Sequence, residues 1–205
     1  MKKSSFIIRF ANGSDVERLL DIYEPYITDT TVTFEYSVPS CEDFKERFLG
    51  VTEKYPWIVA EYRGEVIGYA YADKPFINRS AYAWDTDVSI YLSDEYRGRG
   101  VGSALYTALH GLLSLLGYKN AYAVITGENT ASLEFHKKFG YRAAGTLSDA
   151  GYKFGRWLDV YIMEYCIAAK DVHPIPTTNS SSLSADAVDT IFDSAARSSK
   201  LYEIF

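Results

Sequence analysis

Cysteine, histidine and net basic charge are scarce in this chain, and each shortage narrows what it does. Two cysteines, Cys41 and Cys166, in 205 residues cannot build a disulfide framework and read as free thiols in a reducing compartment. The three histidines, His110, His136 and His173, have no histidine or cysteine partner at metal-ligand spacing, so no metal is expected. Lysine plus arginine totals 21 against 27 aspartate plus glutamate, a formal charge of −6 and a pI of about 5.1. Nucleic-acid-binding domains ordinarily carry a basic face instead. No apolar run approaches the roughly 18 residues that cross a bilayer. The N-terminal MKKSSFIIRF is broken by Arg9 before a signal-peptide core forms. The expectation is a cytoplasmic protein with neither a nucleic-acid nor a membrane partner. Aromatic residues, by contrast, are abundant: 18 Tyr, 11 Phe and 3 Trp make 16%, enough for a filled core, an aromatic-lined cleft, or both.

A composition break falls near Lys170. Residues 1–169 carry dense periodic patterns and are expected to form one domain. After them come His173-Pro174-Ile175-Pro176 and the run TTNSSSLS over 177–184, which reads as a linker. In the last stretch Val188, Ile191, Phe192 and Ala195 fall at helical spacing. So short a helix is not stable alone. Residues 170–205 therefore either fray or dock, on their own domain or on a partner.

Within 1–169, FIIRFA (6–11) reads as a strand. Ser14 to Glu17 has the form of a capping box, which predicts a helix from Asp15, and Pro25 is expected to break or restart it. Ser40 can cap a second helix reaching about Lys54, with Phe44, Phe48 and Val51 on one face. WIVAEY and EVIGYAYA, joined by Arg63-Gly64, read as a hairpin. Further strands are predicted near 84–92, 121–126, 141–147 and 157–167, and helices over 102–116 and 130–139. Hairpins first and βαβ units later give an α/β (α+β) class, a mixed sheet with helices on both faces.

The chemistry concentrates in Arg97-Gly98-Arg99-Gly100-Val101-Gly102, between a predicted strand and a predicted helix. Such a turn aims backbone N–H groups and a positive helix end at one point, a geometry that binds phosphate; a plain tight turn with surface arginines is the alternative. Neither the P-loop string nor G-x-G-x-x-G is present, since Ser103 stands where the third glycine belongs. What fits is R-x-x-G-x-G, on Arg97, Gly100 and Gly102. A second cluster, Asn129, Ser132 and His136, shares one helix face by its spacing of three and four.

The R-x-x-G-x-G spacing resembles the pyrophosphate loop of the GCN5-related N-acetyltransferases. Asn129-Thr130-Ala131-Ser132, then His136 and Gly140-Tyr141, resemble that superfamily's following helix. YPWIVAEYRGEVIGYAYA (55–72), AYAWDTDVSIYLS (81–93), GVGSALY (100–106) and AGYKFGRWLDV (150–160) are similar to its phosphinothricin acetyltransferase branch. The likeness spans about 6–167, and the tail after Lys170 has no counterpart in it.

The resemblance implies a sheet splayed between two strands, with acetyl-CoA in the opening. Ile90, Tyr91 and Leu92 would line the pantetheine arm, Ile90 and Leu92 through backbone groups. Arg97, Gly98, Arg99, Gly100, Val101, Gly102 and Ser103 would cradle the diphosphate, and a Cβ at Gly100 is expected to crowd it. Asn129 would bond the pantetheine amides. Asp87 stands where the branch usually has a glutamate proposed as general base; it is one methylene shorter, and a structural strand-edge carboxylate is the other reading. His136 matches a branch position associated with the departing thiolate, against a plain helix histidine between Phe135 and Phe139. Phe34, Arg79, Tyr82 and Tyr152, with Lys153 nearby, match the acceptor side. Arg79 would pair with a carboxylate, unless it is only a solvated loop arginine. The implied activity is acetyl transfer from acetyl-CoA, without metal, to the amine of a small amino-acid-like substrate of the phosphinothricin or methionine sulfone/sulfoximine type. The alternatives are protein N-termini or polyamines as acceptor, or a non-catalytic acyl-CoA sensor. A homodimer is favoured by the resemblance alone.

Overall fold

Local turn chemistry sets the register of the central sheet. Arg63 and Gly64 both adopt positive φ, 54° and 86°, the two-residue turn that matches strand twist. They join β2 (Trp57–Tyr62) to β3 (Glu65–Asp73). The computed structural model describes residues 6–75 and 79–202. In it, β1 (Phe6–Phe10) adds antiparallel to β2, and β4 (Asp85–Leu92) adds antiparallel to β3. The remaining strands are β5 (Asn120–Thr126), β6 (Arg142–Lys153) and β7 (Arg156–Cys166). The order is β1-β2-β3-β4-β5-β7-β6, and β4–β5 is the parallel pair. Part of the loop expected over 73–80, residues 76–78, lies outside the described residues.

Helices cover both faces. On one, α1 (Val16–Thr28) and α2 (Cys41–Thr52) bury Tyr23, Tyr26, Phe44 and Phe48. These meet Trp57, Tyr69 and Tyr91 of the sheet. Trp57 stacks on its cross-strand partner Tyr71, centroids 4.0 Å apart. Aromatic pairs of this kind add about 0.5–1.5 kcal/mol beyond area burial. Because successive strand residues alternate faces, Ala70, Ala72 and Ile90 turn the other way, toward α3 (Val101–Leu115). α4 (Thr130–Phe139) packs beside α3 through Phe135 and Phe139 against Tyr106.

Two local expectations give way to tertiary contacts. The Ser14–Glu17 capping box does not form: the Ser14 hydroxyl donates to Asn12 Oδ1 instead, and Asp15 precedes α1 without a side-chain cap. Its carboxylate instead takes a bidentate pair from Arg9, both bonds 2.8 Å, and the N–H of Asn12. Pro25 sits inside α1 without breaking it. It lies on the exposed face, where water can satisfy the Asp21 carbonyl, while Ile22, Tyr23, Tyr26 and Ile27 bury the other face. Ser40 does cap α2, accepting from the Asp43 N–H.

The tail forms α5 (Ala185–Ala196), capped by Ser184, and it docks on its own domain. Phe192 meets Phe10 of β1 edge-on at 5.3 Å, and Ile191 lies against Gly111 of α3. The segment leading to it is tied at Trp84 Nε1 to the Ile175 carbonyl, 2.8 Å, and at Lys119 to Asp171, 2.7 Å. No helix among the described residues is long and apolar enough to cross a membrane.

Burial alone would raise the Asp15 carboxyl, but the Arg9 fork and the Asn12 N–H outweigh it and hold it below the ordinary value. Its contribution is therefore present above pH about 4 and lost as the pH falls further. Asp15→Asn should cost about 1–3 kcal/mol at pH 7 and flatten the acid limb of a urea-denaturation profile.

Candidate active site

The site begins where a ladder ends. β4 and β5 pair only over Asp85–Asp87 and Asn120–Tyr122; beyond that rung they diverge, and β5 continues with β7. Along β4, Ser93 N–H bonds the Ile67 carbonyl of β3, so the odd positions face β3. Residues 88, 90 and 92 direct their N–H and C=O away from it, into the splay. The cleft runs from Val88 to Tyr91 on one side and Ala123 to Ile125 on the other, and is closed by Asn129, Ser132 and His136.

Leu92 does not keep its backbone open. The Tyr26 hydroxyl accepts from its N–H at 3.0 Å and donates to its carbonyl at 2.6 Å. Tyr26, which the sequence did not single out, thus caps the end of β4. The Arg97 guanidinium lies over its ring, 5.2 Å from the centroid.

Next comes the glycine turn. Gly98 and Gly100 have φ of 72° and 83°, and Gly100 is the N-cap of α3. A side chain in this left-handed region costs about 1–2 kcal/mol, which explains glycine here. A Cβ on Gly100 would also lie 3.4–3.5 Å from Ser198, Ser199 and Lys200. Arg97 pairs with Asp94 at 2.9 Å, Arg99 leans on Tyr96, and both are exposed. Val101 is buried and anchors the first helical turn; Gly102 lies against Ile90 and Phe135; Ser103 is exposed.

Asn129 caps α4, its Oδ1 accepting from the Ser132 N–H at 3.1 Å. One helix turn on, His136 is only 1% exposed. Nδ1–H donates a hydrogen bond to the Ser132 carbonyl at 2.8 Å. Nε2 is then the acceptor for the Tyr106 hydroxyl at 2.9 Å. His110 is built alike: Nδ1 donates to the Tyr106 carbonyl at 2.6 Å and Nε2 accepts from Tyr141 at 2.7 Å. Burial lowers both rings to about 4, only partly offset by those carbonyls. Burial likewise raises the Tyr106 hydroxyl, which stays protonated. Asp87 stands half-buried at the apex of the splay, paired across the ladder with Tyr122 and with Asp73 of β3.

The acceptor side is gathered by the loop between α1 and α2. Phe34 packs so closely on Gly151 of β6 that no Cβ fits there. Tyr36 donates to the Tyr152 carbonyl at 2.6 Å. Buried Lys153 donates to the Ile27 and Thr33 carbonyls, both 2.7 Å, and burial lowers its pKa. Glu128 takes both Thr31 and Arg156. Phe34 is therefore seated on β6, whereas the Tyr152 side chain alternates to the opposite, exposed face beside Trp157 and offers this side only its carbonyl. Tyr82 is not with Phe34 either: it lines a separate hollow with Asp85, Tyr122, Ile162 and Glu164. Arg79 is exposed at the start of the turn that enters β4. Among the described residues no group of three His, Cys, Asp or Glu could hold a metal. Tyr26, Tyr106 and Lys153 are side chains of this site whose placement depends on long-range contacts that no local pattern announces.

Both histidines should remain neutral down to about pH 5. In the unfolded chain they bind protons from about pH 6.5, so stability is full above that and is lost as the pH falls toward 4. Each adds a slope of up to about 1.4 kcal/mol per pH unit in that window. Ring resonances of His110 and His136 followed by NMR between pH 7 and 5 should show neither one titrating.

Comparison with known proteins agrees with this geometry. The acetyltransferase (GNAT) domain family matches residues 8–162. A phosphinothricin N-acetyltransferase of Streptomyces viridochromogenes is 39% identical over 153 residues, covering 75% of this chain and 83% of that protein. An L-methionine sulfoximine/L-methionine sulfone acetyltransferase of Pseudomonas paraeruginosa is 32% identical, covering 77% and 92%. The crystal structure of a GNAT-superfamily phosphinothricin acetyltransferase from Sinorhizobium meliloti, in complex with AcCoA, superposes with a TM-score of 0.79 at 35% identity, over 87% of this chain and 98% of that one. A strand pair that parts beside a glycine-capped helix, within a sequence matched over most of its length, makes this chain a member of the GNAT acetyltransferase family.

Proposed function

We propose that the protein transfers an acetyl group from acetyl-CoA to the primary amine of a small, acidic amino-acid-like substrate of the phosphinothricin or methionine sulfone/sulfoximine type. The observation that carries this is the splay beyond the Asp87–Tyr122 rung, which opens beside the left-handed Gly98 and Gly100. One cleft then joins an anion-binding helix start to a strand backbone that points outward. Those relatives' named substrates, and the AcCoA of the Sinorhizobium complex, supply the substrate class and the donor.

In this reading the diphosphate sits on the N–H groups of 98–103 with Arg97 and Arg99 beside it. The pantetheine amides lie between the strand at Ile90–Tyr91 and Asn129, short of Leu92, whose backbone Tyr26 already holds. The Ile90 N–H points where the thioester oxygen gains charge, a preorganised donor of the oxyanion kind. The amine nitrogen attacks the carbonyl carbon in a ternary complex, the C–N bond forms and the C–S bond breaks. The amine arrives as ammonium: Asp87 takes its first proton, and the second leaves with the sulfur as the thiol of coenzyme A, while His136 and Tyr106 hold each other in place beside the cleft. Phe34 forms one wall of the acceptor site, and Arg79 pairs with the acidic end of the acceptor. Residues 1–169 make the catalytic domain, and 170–205 an appendage to it.

The test is CoA release from acetyl-CoA with a panel of primary amines. Turnover with phosphinothricin or methionine sulfone is expected. Turnover only with peptides or polyamines would move the acceptor class, and tight CoA binding without any acetylation would make the chain a sensor. Asp87→Asn should lower kcat about 10²- to 10⁴-fold while leaving the KM for acetyl-CoA unchanged; wild-type rates from pH 6 to 9 would remove it as the base.

A further inference from the structure

The matched family region ends at residue 162, yet residues 198–201 return to the glycine turn. After α5, Lys200 N–H donates to the Arg99 carbonyl at 3.0 Å. The Ser199 hydroxyl reaches the same oxygen at 3.4 Å, and accepts from the Leu201 N–H at 3.2 Å. Ser198, Ser199 and Lys200 lie 3.4–3.5 Å from the position a Gly100 Cβ would take. Ser199 and Leu201 are buried, as are Ala195 and Ala196 at the end of α5. The contact is thus packed and hydrogen-bonded, and α5 is held independently on α3 and β1.

Peptide geometry gives this contact a consequence. In a trans peptide the C=O and the following N–H point in opposite directions. A tail that fixes the Arg99 carbonyl on one side therefore fixes the Gly100 N–H toward the other. Glycines at 98 and 100 leave this turn few internal restraints, and the flanking arginines are exposed.

We infer that Ser198–Leu201 is a buttress for the donor site, positioning the Gly100 N–H for the diphosphate of coenzyme A. The inference rests on the acetyl-CoA reading above. Lys200 and Ser199 are positioning residues: they act through the Arg99–Gly100 peptide.

Two variants test it, a chain ending at Arg197, which keeps α5, and full-length Lys200→Pro, which lacks the donating N–H. Two donors are compared, acetyl-CoA and S-acetylpantetheine, which has no diphosphate. Losing one such bond should raise the Kd for CoA and the KM for acetyl-CoA about three- to tenfold, with kcat at saturation and kcat/KM for S-acetylpantetheine unchanged. Equal CoA affinity in wild type and in either folded variant overturns the buttress and leaves the acetyltransferase reading standing. An equal loss with both donors overturns it too, because that is general damage to the fold. Wild-type protein that binds no CoA overturns both. Should neither variant fold, hydrogen exchange of the wild-type amides decides. Slow exchange at Lys200 alongside a Gly100 amide that CoA protects supports the buttress, and rapid exchange at Lys200 overturns it.

Discussion

Everything functional here follows from a β ladder that stops too early. Backbone N–H and C=O groups must find partners, and a strand at the centre of a sheet ordinarily finds them on both neighbours. β4 has its second neighbour for only three residues. Past Asp87 its outward-facing groups must be met by something other than β5. The protein meets one of these needs itself, with the Tyr26 hydroxyl on Leu92. The part of the strand between that cap and the last rung is where a linear ligand with its own amides can take the place of a missing strand. Tyr26 therefore sets the length of the slot, and it supports Arg97 at the same time.

Around that slot the aromatic excess keeps the walls still. Trp57, Tyr69, Tyr71 and Tyr91 form a contiguous layer under α1 and α2, and Tyr106, His110, His136, Phe139, Tyr141 and Tyr165 form a second on the other face. The second contains two histidines, and burial wins over their ordinary basicity. Each gives its Nδ1 proton to a carbonyl and accepts a tyrosine hydroxyl at Nε2. The pairs are chemically complete while neutral. In the pair that Tyr106 makes with His136, the tyrosine holds the proton.

Elements whose specification is local were legible in the sequence. The Arg63-Gly64 hairpin, the Ser40 cap, the helix over Thr130–Phe139 and the glycine turn at 97–102 all follow from residues within one turn of one another. Long-range competition hid the rest. Ser14 and Glu17 have the spacing of a capping box, but Ser14 turns to Asn12 and the adjacent Asp15 to the bidentate fork of Arg9. Pro25 reads as a breaker, yet it falls on a face where the lost bond is exposed to water. His136 shares a face with Asn129, as its spacing says, but nothing local reveals that Tyr106 buries it. The apolar spacing of Val188, Ile191 and Phe192 was visible, whereas its receptor, Gly111 and Phe10, lies at positions far back in the chain.

The aspartate at position 87 illustrates how backbone placement can compensate for a short side chain. A carboxylate on a strand interior reaches a fixed distance, and Asp is one bond shorter than Glu. The acceptor must come correspondingly closer, so the wall opposite the strand has to sit deep. The α1–α2 loop has the means to do this. It is drawn onto β6 and β7 by Lys153 through two carbonyls, by Phe34 seated on Gly151, by Tyr36 on Tyr152 and by Thr31 on Glu128. The closest of these contacts requires glycine at 151, since any Cβ there would displace the Phe34 ring. In the proposed reaction a shorter base and a tightly seated loop are two sides of one arrangement, in which the acceptor amine is brought to the strand instead of the strand's side chain reaching out to the amine.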